Sequence, residues 1–343
     1  MKRTLALFFA LTLIITALIG CTPTLPEGPG DDGKTTVKNR VFYDYFDTVC
    51  VVYDYTGGTE EEFSDICAAV EAELSLCHKL FDIYNEYEGI INLKTINKNA
   101  GGAALSVDGR IIDLLTFSKE MHTLTGGHMN VAMGAVLSIW HDYREAGVAV
   151  PDAALLAAAG EHTSIDDLII DTEAGTVRLA DVEMSLDVGA VAKGYTAERI
   201  AGLIEGRGIK AYALDFGGNL RVGEKTSGDG WVSGIRNPNI LADEEYVRRV
   251  TVKNAALVTS GTYERFYTVS GVRYHHIINK DSLMPENRYT SVSVHTKSSA
   301  YADALSTALF NMSMEDAEAV IRAVGNTEVT FVLPSGEVVV TNG

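Results

Sequence analysis

Asp187-Val-Gly-Ala-Val-Ala-Lys-Gly194 is the stretch from which the rest of this chain can be interpreted. It follows the apolar run at residues 182–186 and precedes residues 195–204, whose apolar side chains recur at helical spacing. The pattern therefore predicts a strand that turns through small residues into a helix. Small residues let a ligand approach the backbone, the N–H groups of a helix start favour an anion, and Asp187 and Lys193 would flank that position. The alternative is an ordinary strand-to-helix connection whose glycines only satisfy backbone geometry.

Short strands are predicted throughout the part of the chain that follows residue 165. They fall at residues 167–171, 176–179, 184–187, 211–216, 220–222, 249–252, 257–260, 266–269, 274–279 and 291–295. Between two of them, Asp215-Phe-Gly-Gly-Asn219 is a glycine turn, which by itself is weak evidence of contact with a ligand. The second half of the chain is therefore rich in sheet.

The first half is predicted to be mostly helical after an initial strand. That strand covers residues 42–55, and the predicted helices cover residues 60–84, 106–125 and 128–141, with a short one beginning near Pro151. Tyr84 lies just past the first helix, where its ring could stack over a flat ligand, although surface packing is the commoner role of a lone tyrosine. We expect a single α+β domain of mostly antiparallel sheets with packed helices. Its ligand cleft would lie between the helical first half and the strand-rich second half.

One helix interrupts the strand-rich half, at residues 298–312. Asp303 and Thr307 are four residues apart in it, so both oxygens lie on one face among small apolar residues. A carboxylate and a hydroxyl suit a hard cation such as Mg²⁺, which completes its shell with phosphate and water. The spacing is equally compatible with a structural role, in which Asp303 is a first-turn residue and Thr307 bonds back to its own helix.

Two adjacent histidines, His275 and His276, fall in a predicted strand. Successive strand residues point to opposite faces, so one imidazole would point inward and the other outward. An inward histidine is more often a hydrogen-bonded core residue than a catalytic one.

The N-terminus resembles that of a bacterial lipoprotein. Met1-Lys-Arg3 is a short basic segment, residues 5–19 are apolar, and Leu18-Ile-Gly-Cys21 looks like a lipobox, in which Cys21 would be acylated. A simple cleaved secretory signal is the alternative. We expect a signal peptide at residues 1–20, a flexible lipid-anchored tether at residues 21–38 that is rich in Pro, Gly, Asp and Thr, and the folded domain at residues 39–343.

Composition limits the classes of partner. The net charge of −18 argues against nucleic acid, because binding a phosphate backbone needs a basic surface. It does not argue against one phosphorylated ligand, since a local cation can outweigh a distant average. Besides Cys21, the cysteines Cys50, Cys67 and Cys77 have neither the spacing of a zinc site nor that of a disulfide framework.

Taken together, several segments resemble the ApbE family of flavin transferases, the FAD:protein FMN transferases, in order and in spacing. The resemblance covers about residues 46–312. It rests on Asn130-Val-Ala-Met-Gly-Ala-Val-Leu-Ser-Ile-Trp140, Ser185-Leu-Asp-Val-Gly-Ala-Val-Ala-Lys-Gly-Tyr195, Asp215-Phe-Gly-Gly-Asn219, Thr259-Ser-Gly-Thr-Tyr263, His276-Ile-Ile-Asn279 and Ala302-Asp-Ala-Leu-Ser-Thr307.

The resemblance implies particular roles for residues of this chain. Positions that match the FAD site of the family are Tyr84, Met129, Asn130, Asp187, Lys193 and Ile278. The backbone carbonyl of Ala190 with Asp303 and Thr307 matches the magnesium site, and His276 matches the histidine beside the reacting phosphate. The sequence departs from the family at Asn130 and Asn279, where Asp is usual, which keeps an acceptor oxygen but removes a charge.

Three functions follow as hypotheses. The first is the Mg²⁺-dependent transfer of FMN from FAD to a threonine of a redox protein through a phosphoester bond, with release of AMP. The second keeps the site but lets water attack, which gives an FAD pyrophosphatase. The third is a lipoprotein that binds a flavin without chemistry. The first fits a chain anchored at the extracytoplasmic face of a bacterial membrane, close to membrane or extracytoplasmic redox proteins.

Overall fold

The computed structural model describes residues 37–225 and 227–343, so the expected signal peptide, Cys21 and nearly all of the tether lie outside the described residues. The helices of these residues are α1 (Glu60–Phe81), α2 (Leu93–Lys98), α3 (Gly109–Leu124), α4 (Gly134–Ala146), α5 (Ala153–Gly160), α6 (Ala192–Glu205), α7 (Ser299–Phe310) and α8 (Met314–Val324). The strands are β1 (Lys38–Tyr45), β2 (Thr48–Asp54), β3 (Leu105–Ser106), β4 (Leu168–Asp171), β5 (Thr176–Leu179), β6 (Tyr212–Phe216), β7 (Asn219–Val222), β8 (Trp231–Arg236), β9 (Tyr246–Val252), β10 (Ala255–Gly261), β11 (Phe266–Val269), β12 (Val272–His275), β13 (Ser291–Thr296), β14 (Glu328–Val332) and β15 (Val338–Asn342).

An antiparallel sheet of eight strands forms the centre of the fold, in the order β1-β2-β6-β7-β10-β13-β14-β15. Because successive strand residues point to opposite faces, each face needs its own cover. Helices α1 and α6 pack on one face through residues such as Leu74 and Ile200. The β8–β9 hairpin covers the other face through Trp231 and Val252. The α+β class and the antiparallel sheets expected from the sequence are therefore confirmed.

Helix α1 shows why the first predicted helix forms. Thr59 and Glu62 make a reciprocal capping box, in which the Thr59 side chain accepts the Glu62 N–H and the Glu62 carboxylate accepts the Thr59 N–H. The helix ends at Phe81, three residues before the predicted end. Asp82 then accepts the N–H of Tyr84 at 2.6 Å, which fixes the loop that presents this ring.

A partly buried ionic cluster links three helices. Glu73 of α1 accepts two hydrogen bonds from Arg110 of α3, each at 3.0 Å, and one from Arg199 of α6 at 2.8 Å. These guanidinium groups hold the pKa of the Glu73 carboxyl down to about 2, with the Arg110 bonds as the largest cause. The cluster fixes α6 with respect to the helical half of the molecule.

Four predicted elements differ from the structure. The single strand expected at residues 42–55 is two antiparallel strands, β1 and β2, joined by a turn at Phe46 and Asp47. Residues 184–187 form no strand, and only Ser185 pairs there, in an isolated parallel bridge to Met133. The helix expected at residues 128–141 begins at Gly134, because the backbone before it bonds instead to this extended segment. Strand β12 stops at His275, since Asn279 accepts the N–H groups of Asp281 and Ser282 in a turn.

Elements α2, β3, β8, α8, β14 and β15 were not predicted from the sequence. Among the described residues, Cys50, Cys67 and Cys77 are buried free thiols. No helix in that part of the chain is long and apolar enough to cross a bilayer.

Candidate functional site

The start of α6, at the end of the Asp187–Gly194 stretch, meets the side of α7. Gly194 donates its N–H to Asp303 Oδ2 at 2.8 Å, so the carboxylate of one helix satisfies a free donor in the first turn of the other. A Cβ at Gly194 would lie 2.4 Å from the Ser299 carbonyl oxygen and 2.5 Å from Asp303 Cβ. Glycine is required here because the two helices touch through their backbones. We call this contact of Gly194 with Ser299 and Asp303 the helix crossing.

Lys193 lies beside the buried carboxylate of Asp303. Its Nζ is 3.7 Å from Asp303 Oδ1 and donates to the Gly189 carbonyl at 3.4 Å. Asp303 is only 4% exposed, and this burial raises the pKa of its carboxyl against the opposing effects of Lys193 and the Gly194 N–H. The ammonium group therefore occupies a position between a carboxylate and a backbone carbonyl, which shows that these oxygens accommodate a cation.

Thr307 follows Asp303 by one turn on the same face of α7. Its hydroxyl is 3.4 Å from Ser260 Oγ at the end of β10. The alternative role for Thr307 was a hydroxyl that bonds back to its own helix. In the structure it is Ser306 that makes such a bond, by donating its hydroxyl to the Asp303 carbonyl at 2.9 Å. Ala190 lies in the turn before α6, and no backbone hydrogen bond among the described residues ends on its carbonyl oxygen.

The candidate donors are thus the carboxylate and hydroxyl that α7 places on one face, at Asp303 and Thr307, and the backbone carbonyl of Ala190 in the turn before α6. Hard oxygen donors of this kind, few in number, fit Mg²⁺, which keeps several waters or phosphate oxygens in its shell. Within residues 37–225 and 227–343, no group of three or more His, Cys, Asp or Glu side chains could hold a metal ion. The donor set fits magnesium shared with a phosphate, and does not fit a site formed by clustered carboxylates or by histidines and thiolates.

His276 follows directly after β12 and is held by one carbonyl group. The Arg265 carbonyl accepts the His276 backbone N–H at 3.1 Å and faces the ring Nδ1 at 3.2 Å. Because a carbonyl only accepts, Nδ1 carries the proton and Nε2 keeps its lone pair. Desolvation, followed by the charge of Arg265, lowers the pKa of His276 to about 3. The ring is therefore neutral near pH 7.

His275 is the satisfied core histidine of the pair. It is 2% exposed, its Nε2 donates to the Glu286 carbonyl at 2.7 Å, and its Nδ1 accepts the Ile277 N–H at 3.2 Å. The alternation expected from the sequence thus assigns the structural role to His275 and leaves His276 partly exposed.

Tyr84 faces helix α4 at the open side of the site. Its side chain is 52% exposed, and its ring centroid lies 5.1 Å from that of His141. Arg144 donates to His141 Nδ1 at 2.8 Å and so orients this imidazole. We call Tyr84, His141, Arg144 and Arg265 the mouth of the site.

The charged groups of the mouth act on the carboxyl of Asp187. Burial raises the pKa of its carboxyl, while the Gly189 N–H, Arg265, His141 and Arg144 oppose that effect. The roles of Arg265, His141 and Arg144 were not predicted from the sequence. A signal was present for two of them, since His141 and Arg144 are three residues apart on α4 in a chain of strongly negative charge.

Three predicted flavin positions offer little open side-chain surface. Met129 and Ile278 are 1% and 5% exposed and belong to two different hydrophobic clusters. Asn130 uses both ends of its amide, since Oδ1 accepts the Ala132 N–H at 2.9 Å and Nδ2 donates to the Thr163 carbonyl at 3.0 Å. Met129 and Asn130 lie in the loop before α4, and Ile278 lies after β12 in a bridge to Pro285, so a ligand would meet these residues mainly along their backbone.

The glycine turn between β6 and β7, whose sequence alone is weak evidence of contact with a ligand, positions the side chain of Asn219. Gly217 and Gly218 have φ angles of 62° and 84°, which glycine adopts freely. Asn219 is 1% exposed, and its Oδ1 accepts the Ser299 hydroxyl. Its Nδ2 acts as a hydrogen-bond donor toward Asp303 and opposes the rise in the pKa of that carboxyl, so the turn presents an amide N–H at the helix crossing.

Known proteins resemble this chain in sequence over most of its length. The sequence model of the ApbE family matches residues 41–331. The FAD:protein FMN transferase of Treponema pallidum (strain Nichols) is 31% identical over 309 residues, which cover 85% of this chain and 83% of that protein. An FAD:protein FMN transferase of Klebsiella pneumoniae (strain 342) is 28% identical over 277 residues, covering 78% and 85%.

Solved structures share the fold. The ApbE protein of Thermotoga maritima superposes with a TM-score of 0.78 at 24% identity, covering 89% of this chain and 97% of that one. The flavin transferase ApbE of Vibrio cholerae gives a TM-score of 0.76 at 23% identity, with 90% and 97% covered.

Proposed function

The chain belongs to the ApbE family of enzymes, and we propose that it transfers FMN from FAD to a threonine of a redox protein, with Mg²⁺ and with release of AMP. One observation carries the proposal. At the start of α6 the Lys193 ammonium lies 3.7 Å from Asp303 Oδ1, and the Gly194 N–H donates to Oδ2 of the same carboxylate at 2.8 Å, so a cation and an N–H group converge on a candidate metal ligand.

The diphosphate of FAD is the natural anion for this position. The N-terminal end of the α6 dipole and the Lys193 ammonium favour negative charge. The Asn219 amide, which also acts on Asp303, is a further donor at the same crossing. Such groups stabilise charge that accumulates on phosphoryl oxygens as a P–O bond breaks.

Asp303, Thr307 and the Ala190 carbonyl would hold the magnesium ion. When bound, the ion would offset the charge of the phosphoryl oxygens and of the departing AMP. Lys193 lies 3.7 Å from the same carboxylate, so it would move toward the phosphate as that carboxylate takes a second cation.

His276 would serve as the general base. The acceptor hydroxyl gives its proton to Nε2 while its oxygen forms a bond to the FMN phosphorus, and the bond from that phosphorus to the bridging oxygen breaks to release AMP. The lowered pKa makes His276 a weak base in the free protein. A nearby phosphate dianion raises it, because opposite charge favours the protonated ring.

The location of the reaction follows from the sequence before residue 37. The Leu18-Ile-Gly-Cys21 motif supports removal of residues 1–20 and acylation of Cys21. Residues 21–38 would tether the catalytic domain, residues 39–343, to the extracytoplasmic face of the bacterial membrane. The acceptor would be a membrane or extracytoplasmic redox protein.

The experiment is to incubate the full-length chain in detergent with FAD and Mg²⁺, with and without a threonine-containing domain of a flavinylated redox protein. AMP is followed by chromatography and the acceptor by mass spectrometry. Acceptor-dependent AMP together with an FMN-sized mass increase supports the transferase. AMP without an acceptor, and no mass gain with one, would make water the nucleophile and the protein an FAD pyrophosphatase. No AMP in either case would leave a flavin-binding lipoprotein.

A further inference from the structure

Two adjacent aliphatic side chains are exposed at the tip of the β8–β9 hairpin. Ile240 is 80% exposed and Leu241 is 88% exposed, which are the two highest values among the large hydrophobic residues that the structure describes. Single exposed apolar residues are common on protein surfaces and need no explanation. A contiguous pair at the outermost point of a hairpin is less common, because it places apolar surface where the fold cannot bury it.

The loop at the tip is held by its own hydrogen bonds. Asn237 donates its backbone N–H to the Glu245 carbonyl at 2.8 Å and its side-chain Nδ2 to the Glu244 carbonyl at 3.0 Å. Asn239 accepts the Leu241 N–H at 3.1 Å through its side chain. The polar groups of the loop thus bond to one another, and the two aliphatic side chains remain on the outside.

The base of the hairpin is fixed to the protein core. Trp231 and Ile235 of β8 are each 1% exposed, and Val252 of β9 is fully buried against the large sheet. The Trp231 indole also donates to the Gly223 carbonyl at 3.1 Å. A rigid base and a bonded tip hold Ile240 and Leu241 away from the body of the molecule.

The chain enters the fold on the face that this hairpin covers. Val37, the first described residue, and Val41 of β1 pack against the same cluster as Trp231 and Ile235. Residues 22–36, which precede this point, span at most roughly 50 Å when fully extended. A chain acylated at Cys21 therefore keeps this face of the domain within reach of the bilayer.

We propose that Ile240 and Leu241 insert into the bilayer to which Cys21 anchors the chain, so that the hairpin is a second, reversible contact that orients the domain on the membrane. This inference rests on the lipid anchor of the proposed function. The contact would be apolar, because Asp243, Glu244 and Glu245 follow the tip and anionic headgroups would repel them. Its depth would be that of an interfacial segment, roughly 5–10 Å below the headgroups.

The experiment uses the full-length chain purified from membranes and reconstituted into phosphatidylcholine vesicles, with the acyl mass at Cys21 verified by mass spectrometry. Leu241→Trp places a reporter at the tip, and Val148→Trp is the matched control at a 78% exposed position after α4. The native Trp140 and Trp231 are buried and provide a constant background. Emission is compared between ordinary vesicles and vesicles of brominated phosphatidylcholine.

We expect a blue shift for the reporter at position 241 and a loss of roughly half of its added emission in brominated lipid, with no such change at position 148. Equal quenching at both positions, or none at position 241 in an acylated chain, would refute the hairpin contact and leave the anchor intact. A blue shift that appears without lipid and grows with protein concentration would refute the membrane contact and show that a second copy of the chain covers the hairpin tip. A chain without acyl mass would overturn the anchor and the inference together, while FMN transfer stays measurable in detergent.

Discussion

The helix crossing and the mouth are two parts of one site that are built in opposite ways. At the helix crossing, Gly194 and Asp303 are buried and bonded, and a single added carbon would strike backbone. At the mouth, Tyr84 is half exposed, and the Arg265 guanidinium has no carboxylate within ion-pair distance among the described residues. The charge-bearing part is thus set by the fold before any ligand arrives, whereas the aromatic part retains freedom to adapt to its ligand.

This difference suggests a division of labour. Stabilising a phosphoryl group requires donors that do not reorganise during the reaction, which a buried crossing provides. Admitting a flavin and then a second protein requires a surface that can open, which a buried crossing could not provide. Substitutions at the crossing should therefore affect folding and chemistry, and substitutions at the mouth should affect binding.

The largest effect is expected from Gly194→Ala. The new Cβ would meet the Ser299 carbonyl at 2.4 Å, so the helices must separate at a cost of about 3 kcal/mol, and turnover should be lost. Gly202→Ala on the same helix meets no atom within 4 Å and should stabilise by roughly 0.5–1 kcal/mol. Urea unfolding of the two variants measures the contrast, and equal stabilities would contradict the tight crossing.

Asp303→Asn separates the structural role of this residue from its chemical role. The amide oxygen can still accept the Gly194 N–H, so the unfolding free energy should change by only about 1 kcal/mol. Loss of the charge should lower Mg²⁺-dependent turnover by about 10³-fold. Normal turnover would refute the magnesium assignment, whereas an unfolded variant would assign Asp303 to helix capping alone.

His276→Gln should reduce turnover by about 10²-fold while FAD still binds, because only proton transfer is removed. His295→Gln, on the distant strand β13, is the control and should retain activity. Unchanged turnover in His276→Gln would mean that another group takes the proton.

The pH dependence follows from the same residue. Since desolvation lowers the pKa of His276 to about 3, its Nε2 stays unprotonated as pH falls through the usual histidine range. We therefore expect kcat/KM to stay within about twofold between roughly pH 7 and pH 5, and to fall only below that. A loss of activity centred near the ordinary histidine value would contradict the desolvated environment.

The smallest effect is expected at the mouth. Arg144→Gln removes the donor that orients His141 opposite Tyr84, and should weaken FAD binding by about threefold to tenfold with kcat unchanged. Arg322→Gln, on the exposed face of α8, is a matched loss of charge that should change neither quantity. A large fall in kcat for Arg144→Gln would remove the distinction between crossing and mouth.

The crossing was more predictable from sequence than the mouth. A four-residue spacing placed Asp303 and Thr307 on one face, and the small residues before α6 predicted a close approach, because both signals are local. The mouth depends on how α4 packs, which is settled by contacts distant in sequence, such as the Trp140 indole bonded to the Leu283 carbonyl. For the same reason the segment at residues 184–187 was mistaken for a strand, since its partners are side chains and an isolated bridge.

The strand order of the large sheet has a consequence for how this protein becomes functional. Strand β2 pairs with β6, so that Cys50 faces Phe216, and the last two strands complete the edge opposite β1. Pairings between residues so distant in sequence close large loops before they gain contacts, which slows folding. Residues from Tyr84 to Thr307 contribute to the candidate site, so no N-terminal fragment that ends before Thr307 contains all of it. The catalytic centre would therefore assemble late, after almost the whole chain has been synthesised.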